Sequence, residues 1–239
     1  MAKIVARNAT IFGGGRDLSG RSNSATFSMS GEAPESTSFG AGTRERLPDG
    51  IKDTELSVDG FWDSAASQVD ELFSSLLTGS AYFGFYPQSA SAGRSGREVI
   101  GILTEYEAVN ATEDAATTSM TATGSAAARR VVSHGYARVT GASSGSTALT
   151  SLDFSASDPS LWGFLRLLEL SGTAASFSAC IQESNDNNAF ATIIVFPTRV
   201  TANSAEAASA VSASRYRRVK YAFAGTSPFG ALFQVSTGS

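Results

Sequence analysis

The chain has 239 residues, with 18 Lys and Arg against 22 Asp and Glu, one histidine and one cysteine. A net charge of −4 disfavours a protein that grips nucleic acid, since such proteins carry excess positive charge. The lone cysteine excludes an internal disulfide and a cysteine-built zinc site, while a hydrophobic content of 42% is enough for a folded core.

In chain order, Lys3–Phe12 reads as a strand closed by the Gly13-Gly14-Gly15 turn. Ser24–Ser30 alternates Ala25, Phe27 and Met29 with hydroxyl residues, the pattern of a half-buried strand. Gly31–Asp53 has no period and is rich in glycine, proline and charge; a loop of this length in a compact domain is usually functional. Thr54–Phe61 alternates again, with Leu56 and Val58 on one side and Glu55, Ser57 and Asp59 on the other.

Phe61–Gly79 reads as the one good helix. Asp63 or Ser64 is its N-cap, Val69, Leu72, Phe73, Leu76 and Leu77 form an apolar stripe, and Gly79 sits at the C′ position. Ala81–Tyr86, Glu98–Ala108 and Ala116–Gly124 are three more strands, and Ser125–Arg130 is a linker. Beyond it strands are expected at Tyr136–Thr140, Leu161–Leu170, Ser176–Glu183, Phe190–Phe196, Arg217–Phe223 and Ala231–Ser236. Leu170–Phe177 and Phe223–Phe229 read as two hairpin connections, and Asp186-Asn187-Asn188 as a turn. Short strands with regular turns predict a second-half β-sandwich.

Chemistry-bearing motifs are scarce. His134 has no nucleophile motif around it and reads as a surface or turn histidine. Glu105 and Glu107, two apart on a strand, form a solvated acidic face better than a glycosidase pair. Arg215, Arg217, Arg218 and Lys220, interleaved with Tyr216 and Tyr221, read as a strand with Val219, Tyr221 and Phe223 inward, in preference to a nucleic-acid platform. No secretory signal and no run of the roughly 20 apolar residues that span a bilayer is visible, so no membrane role is expected. The chain reads as a non-enzyme without cofactor or metal.

The order strand, glycine turn, strand, charged loop, alternating strand, amphipathic helix and three strands resembles the tail tube (major tail) proteins of long-tailed bacteriophages. The stretches that carry the likeness are Lys3–Phe12, Asp17–Ser24, Asp49–Asp63 and Gly101–Glu107. The second half, with Ser171–Asn187 and Tyr216–Tyr221, looks like the β-rich extension of prophage tail proteins. The resemblance implies a mainly-β fold: a tail-tube-type sandwich or barrel with one flanking helix over residues 1–127, and an outer β-sandwich over 131–239.

The resemblance further implies a virion protein made in the host bacterial cytoplasm, assembling into hexameric or pseudo-hexameric rings stacked as a hollow tube. Its partners would be copies of itself, a tape measure protein and a tail terminator, and DNA would pass through without specific binding. In that frame Glu55 and Asp59 face the lumen. Glu35, Arg44, Glu45, Arg46, Asp49 and Lys52 belong to a loop that stacks rings, and Val69, Leu72, Phe73 and Leu76 pack the helix. The competing readings are a capsid decoration protein, a carbohydrate-binding module using Trp162, Tyr216 and Tyr221, and, last, a glycoside hydrolase.

Overall fold

The computed structural model describes residues 8–33, 35, 52–63, 69–109, 115–141, 145–154, 158–212 and 214–238. It is mainly β, with fourteen strands and one helix among the described residues. The strands are β1 Thr10–Gly13, β2 Arg16–Asp17, β3 Ser22–Gly31, β4 Lys52–Phe61, β5 Ser80–Tyr86, β6 Ser95–Val109 and β7 Thr117–Gly124. The second half adds β8 Arg129–Gly141, β9 Gly145–Ala148, β10 Leu152–Asp153, β11 Asp158–Ser184, β12 Ala191–Val195, β13 Ser204–Ser212 and β14 Tyr216–Gly238.

The chain divides into two compact units, but not into successive halves. One comprises Met1–Ser19, Tyr82–Glu98 and Arg129–Ser239; the other comprises Gly20–Ala81 and Val99–Ala128. This differs from the expected division into 1–127 and 131–239. The physical reason is strand pairing: β1 ladders with β5, and the first residues of β6 ladder with β8, which draws all of them to the C-terminal strands. The smaller unit is therefore an insertion.

In the larger unit β11 and β14 are single long strands that pair along their whole lengths, from Trp162↔Gly238 to Ser184↔Tyr216. The two expected hairpins do not exist. Those segments pair with each other (Ser171↔Gly230, Ser176↔Ala224) at a corner with three register shifts between Leu167 and Ser176. Bulges of this kind bend a ribbon sharply, and the ribbon folds over on itself. Its first layer runs β13, β11, β14, β8, β6, β5, β1, β2; its second holds β12, the far half of β11, the near half of β14, and β9 and β10. Leu161, Leu165, Phe177, Ile181, Ile194, Phe196, Val219 and Phe233 fill the space between the layers. Gly163 permits that approach: a Cβ there would lie 2.4 Å from Ile181 Cδ1. The expected sandwich is thus a folded ribbon. β13 was not anticipated because Ser-Ala-Glu-Ala-Ala-Ser-Ala-Val-Ser carries little strand propensity; pairing with β11 decides it.

The smaller unit holds the sheet β3–β4–β7–β6, with β6 contributing Gly101–Val109. Its inner face buries Leu56, Val58, Leu103, Met120 and Ala122. The helix α1, Val69–Leu76, lies against this face through Phe73, whose ring centroid is 5.5 Å from that of Tyr106. The Tyr106 hydroxyl donates to Asp70 Oδ1 at 2.6 Å.

At its C-terminal end the described helix stops short of the expected Gly79. Phe61 belongs to β4, Leu77 bridges to Leu103, and Thr78, not Gly79, takes the left-handed conformation (φ 64). Asp63 pairs with Arg21 at 2.7 Å, and the expected capping by Asp63 or Ser64 turns on residues 64–68, which lie outside the described residues. Among the packing residues Leu72 and Phe73 are buried and Leu76 is half-buried; Val69 opens the helix, and its side chain lies outside the described residues. The expected linker is also ordered: Ser125 N–H donates to the Ile100 carbonyl at 2.8 Å, and Arg129 and Arg130 already belong to β8.

Candidate functional site

Two polar constellations stand out, one buried in the larger unit and one exposed on the smaller. The buried one centres on Arg166 of β11, at 1% exposure amid an apolar run, and Glu98 of β6, at 0%. The guanidinium grips the carboxylate with two bonds, Nη1 to Oε1 at 2.6 Å and Nη2 to Oε2 at 2.5 Å. Arg166 Nη1 also reaches Gln234 Oε1 at 3.1 Å, and its Nε donates to the Gly14 carbonyl at 3.2 Å. The Tyr86 hydroxyl donates to Glu98 Oε1 at 2.5 Å and accepts from Gln234 Nε2 at 3.0 Å.

Burial pushes the Tyr86 phenol well above its ordinary value, and the Glu98 charge adds to this. Burial alone would lower Arg166, but the Glu98 carboxylate outweighs it and holds the guanidinium charged. Gly84 is small by necessity, because a Cβ there would come within 2.9 Å of Glu98 Oε1. Both charges have their partner inside the protein, Arg166 and Glu98 being 1% and 0% exposed. The network orders strands, and it offers no reactive group to a substrate.

His134 is not the surface histidine expected. It is 2% exposed on β8, with Nε2 bonded to Thr237 Oγ1 at 3.0 Å, and burial followed by the nearby Arg217 charge lowers its pKa to about 3. Its ring lies 5.7 Å from that of Phe154. It is held neutral and out of reach of solvent, which denies it a role as a proton shuttle.

The three arginines of the basic cluster are engaged within the chain. Arg215 pairs with Asp153 at 2.5 Å, Arg217 is 2% exposed with its guanidinium over Phe154, and Arg218 bonds Gln182 and covers Phe190. Val219 and Tyr221 point inward as expected, with Lys220 outward. Trp162, Tyr216 and Tyr221 do not gather into a sugar platform: Trp162 lies under the Arg129 guanidinium, Tyr216 neighbours Arg215, and Tyr221 is in the core between the layers.

The exposed constellation is the outer face of β3–β4–β7–β6. In β4, Thr54, Leu56, Val58 and Gly60 are buried, while Asp53, Glu55, Asp59 and Phe61 are exposed and Ser57 is half-exposed. Register places Ser28, Glu55, Thr123 and Ile102 in one row, Thr26, Ser57, Thr121 and Glu105 in the next, and Ser24, Asp59, Ser119 and Glu107 in a third. The face is therefore a carpet of hydroxyls carrying Asp53, Glu55, Asp59, Glu105 and Glu107, and no Lys or Arg stands in these paired rows.

A register shift between Leu103 and Glu105 makes this possible. It reverses the alternation of β6, so that Leu103 and Tyr106 both turn inward while Glu105 and Glu107 both turn outward. Asp59 and Glu107 are two strands apart, roughly 10 Å, and Glu55 and Asp59 are four residues apart, roughly 13 Å. Spacings of about a Debye length give a diffuse negative wall and no chelating cluster. No group of three metal-ligating side chains is placed to hold an ion among the described residues.

Glu55 and Asp59 thus lie on the exposed face, and the sequence did not reveal that Glu105 and Glu107 share it. Of the loop residues, Glu35 is exposed and Lys52 opens β4; Arg44, Glu45, Arg46 and Asp49 lie outside the described residues. No helix among the described residues is long and apolar enough to cross a membrane.

No protein-family model and no curated protein matches the chain. Among solved structures it is similar to a chain of the virion of a native gene transfer agent particle, with 15% identity and a TM-score of 0.43 over 53% of this chain and 97% of that one. A chain of the tail of an empty gene transfer agent particle with C6 symmetry gives 15% and 0.38 over 45% and 80%. The SPP1 Dit protein, of a phage adsorption hub, gives 10% and 0.38 over 95% and 98%. Likenesses of this size leave the functional reading to the chain's own residues.

Proposed function

We propose that the chain is a structural subunit of a bacteriophage virion that assembles with its own copies into stacked rings, building the hollow tail tube through which DNA passes. The observation that carries this reading is the cation-free, hydroxyl-rich acidic face of β3–β4–β7–β6. A wall of carboxylates repels phosphate, so DNA slides along it; a cationic wall would bind it through salt-sensitive contacts. Glu55, Asp59, Glu105 and Glu107 are the proposed lumen residues.

The two margins of this sheet support ring closure. In the described pairings β3 has only β4 as a neighbour, and Glu105–Val109 has only β7. The β3 sequence, Ser-Asn-Ser-Ala-Thr-Phe-Ser-Met-Ser-Gly, is uncharged. Pairing two copies through the β6 margin would set carboxylates opposite each other, which is unfavourable. Pairing β3 of one copy with β6 of the next sets hydroxyls against carboxylates. Such a head-to-tail contact closes into a ring and uses up both open edges. Hexameric rings, stacking by the 31–53 loop, and docking to a tape measure protein and a tail terminator belong to the same proposal.

Negative-stain microscopy of the purified protein at high concentration tests it. Stacked rings are expected, and a monomer at every concentration overturns the reading. Rings built from the Glu55→Lys, Asp59→Lys double variant should retain DNA and slow its release; unchanged DNA ejection would remove the acidic-lumen assignment while leaving the tube.

A further inference from the structure

We propose that the outer face of the second layer of the larger unit, formed by β12, β11 and β14, binds a carboxylated sugar residue such as a hexuronic acid. This inference stands apart from the tube reading. The face carries an open cavity of about 330 Å³ whose polar rim is Ser178, Gln182, Thr192 and Lys220, with Cys180 and Val195 between them. Register fixes their places: Cys180 lies opposite Val195 on one side and Lys220 on the other, Gln182 lies opposite Thr192, and Ser178 lies opposite Ala222. Three strands and the five residues from Ser178 to Gln182 give a footprint of roughly 10 by 13 Å, which matches one pyranose ring with its substituents.

The charge of the site points to the ligand. Lys220 is the single charged residue lining the cavity, it is exposed, and it has no hydrogen bond or ion pair among the described residues. The neighbouring cation is spoken for, since Arg218 Nε donates to Gln182 Oε1 at 3.0 Å and its guanidinium lies 3.8 Å from the centre of the Phe190 ring. One uncompensated ammonium calls for one negative charge. Gln182 Nε2 donates to Thr192 Oγ1 at 3.2 Å, which leaves the threonine proton free to donate outward. Val195 is 71% exposed and lies opposite Cys180 on the neighbouring strand, and the two side chains form an apolar strip. A uronic acid ring presents a carboxylate to Lys220, hydroxyls to Thr192 and Ser178, and its C–H face to that strip. No covalent step is involved.

Isothermal titration and saturation-transfer difference NMR with methyl glucuronide, methyl glucoside and acetate test the assignment, and both measurements work on free subunits and on assemblies. Saturable millimolar binding of the glucuronide is expected, with the glucoside and acetate about tenfold weaker. Lys220→Gln should remove that preference, and Ala222→Leu, which fills the cavity from the solvent side, should abolish binding of both sugars. The proposal is overturned by absence of saturable glucuronide binding, by acetate or glucoside binding equally well, or by binding that survives Ala222→Leu.

Discussion

Acid should weaken the larger unit through His134 in a way that can be separated from every other titrating group. The unfolded imidazole takes a proton near the ordinary value of 6.5, whereas in the fold it does so only near about 3, because of burial and then Arg217. Below about pH 6.5 the unfolded state therefore binds more protons, and stability falls as pH drops, levelling off near pH 3. At about pH 5 the unfolded state is favoured by some 1.5 pH units, or about 2 kcal/mol. For a chain of this size that lowers the melting temperature by roughly 4–8 °C. His134→Gln keeps a donor for Thr237 and cannot titrate. Trp162 reports on the larger unit, so the measurement is urea unfolding by tryptophan fluorescence in a Trp62→Phe background at about pH 7.5 and about pH 5. Carboxylates contribute equally to both proteins and cancel in the comparison. The wild type should lose about 2 kcal/mol more than the glutamine variant. Equal losses would refute the claim that the fold holds this histidine neutral.

Arg166→Met should cost about 3–5 kcal/mol, because it strands the buried Glu98 carboxylate; adding Glu98→Met should recover most of it, as a double-mutant cycle in urea will read. Leu72→Ala on α1 should cost about 2–5 kcal/mol by cavity creation, seen as a lower urea midpoint for the smaller unit by Trp62 fluorescence.

Particular residues show where sequence sufficed and where it could not. Alternation in Thr54–Phe61 gave β4 and its two faces outright, because a strand with one buried side must alternate. The same rule put Glu105 and Glu107 on one solvated face but not the inward turn of both Leu103 and Tyr106, which are three apart and cannot share a side of a regular strand, so only the bulge reconciles them. Leu161–Leu170 reads as apolar on both sides because it is buried on both, with one core between the layers and a second around Phe12, Phe164 and Leu168. The Ser-Gly-Thr and Ala-Gly-Thr corners look like hairpin turns because small residues suit any sharp bend; the pairing of the two corners with each other is long-range and leaves no local trace. Arg166 and Glu98 were each visible as a lone charge beside apolar residues, Leu-Arg-Leu and Glu-Val-Ile, and such charges are rarely buried unless paired. That could have joined two segments 68 residues apart. Nothing comparable marks the insertion of the smaller unit, which depends on β1 and β5 choosing each other.

The two constellations use charge in opposite ways, and the contrast predicts how assembly responds to salt. Arg166 and Glu98 neutralise each other in a dry site, so salt scarcely touches them. The carboxylates of the outer face have no cation among them; within one copy, at about 7–13 Å through water, neighbouring pairs repel by only about 0.3–0.6 kcal/mol before screening. A ring brings several such faces around one lumen and multiplies those terms, while the proposed strand-to-strand contacts are hydrogen bonds and apolar burial that salt does not weaken. Raising the salt from about 0.05 M to about 0.5 M shortens the Debye length from roughly 14 Å to roughly 4 Å and removes most of the repulsion. Association, followed by sedimentation velocity, should therefore strengthen with salt. Neutralising Glu55, Asp59, Glu105 and Glu107 to Gln and Asn should make it stronger still and nearly independent of salt. Association that weakens as salt rises would mean that opposite charges hold the copies together, and the acidic face would then be an interface and not a lumen.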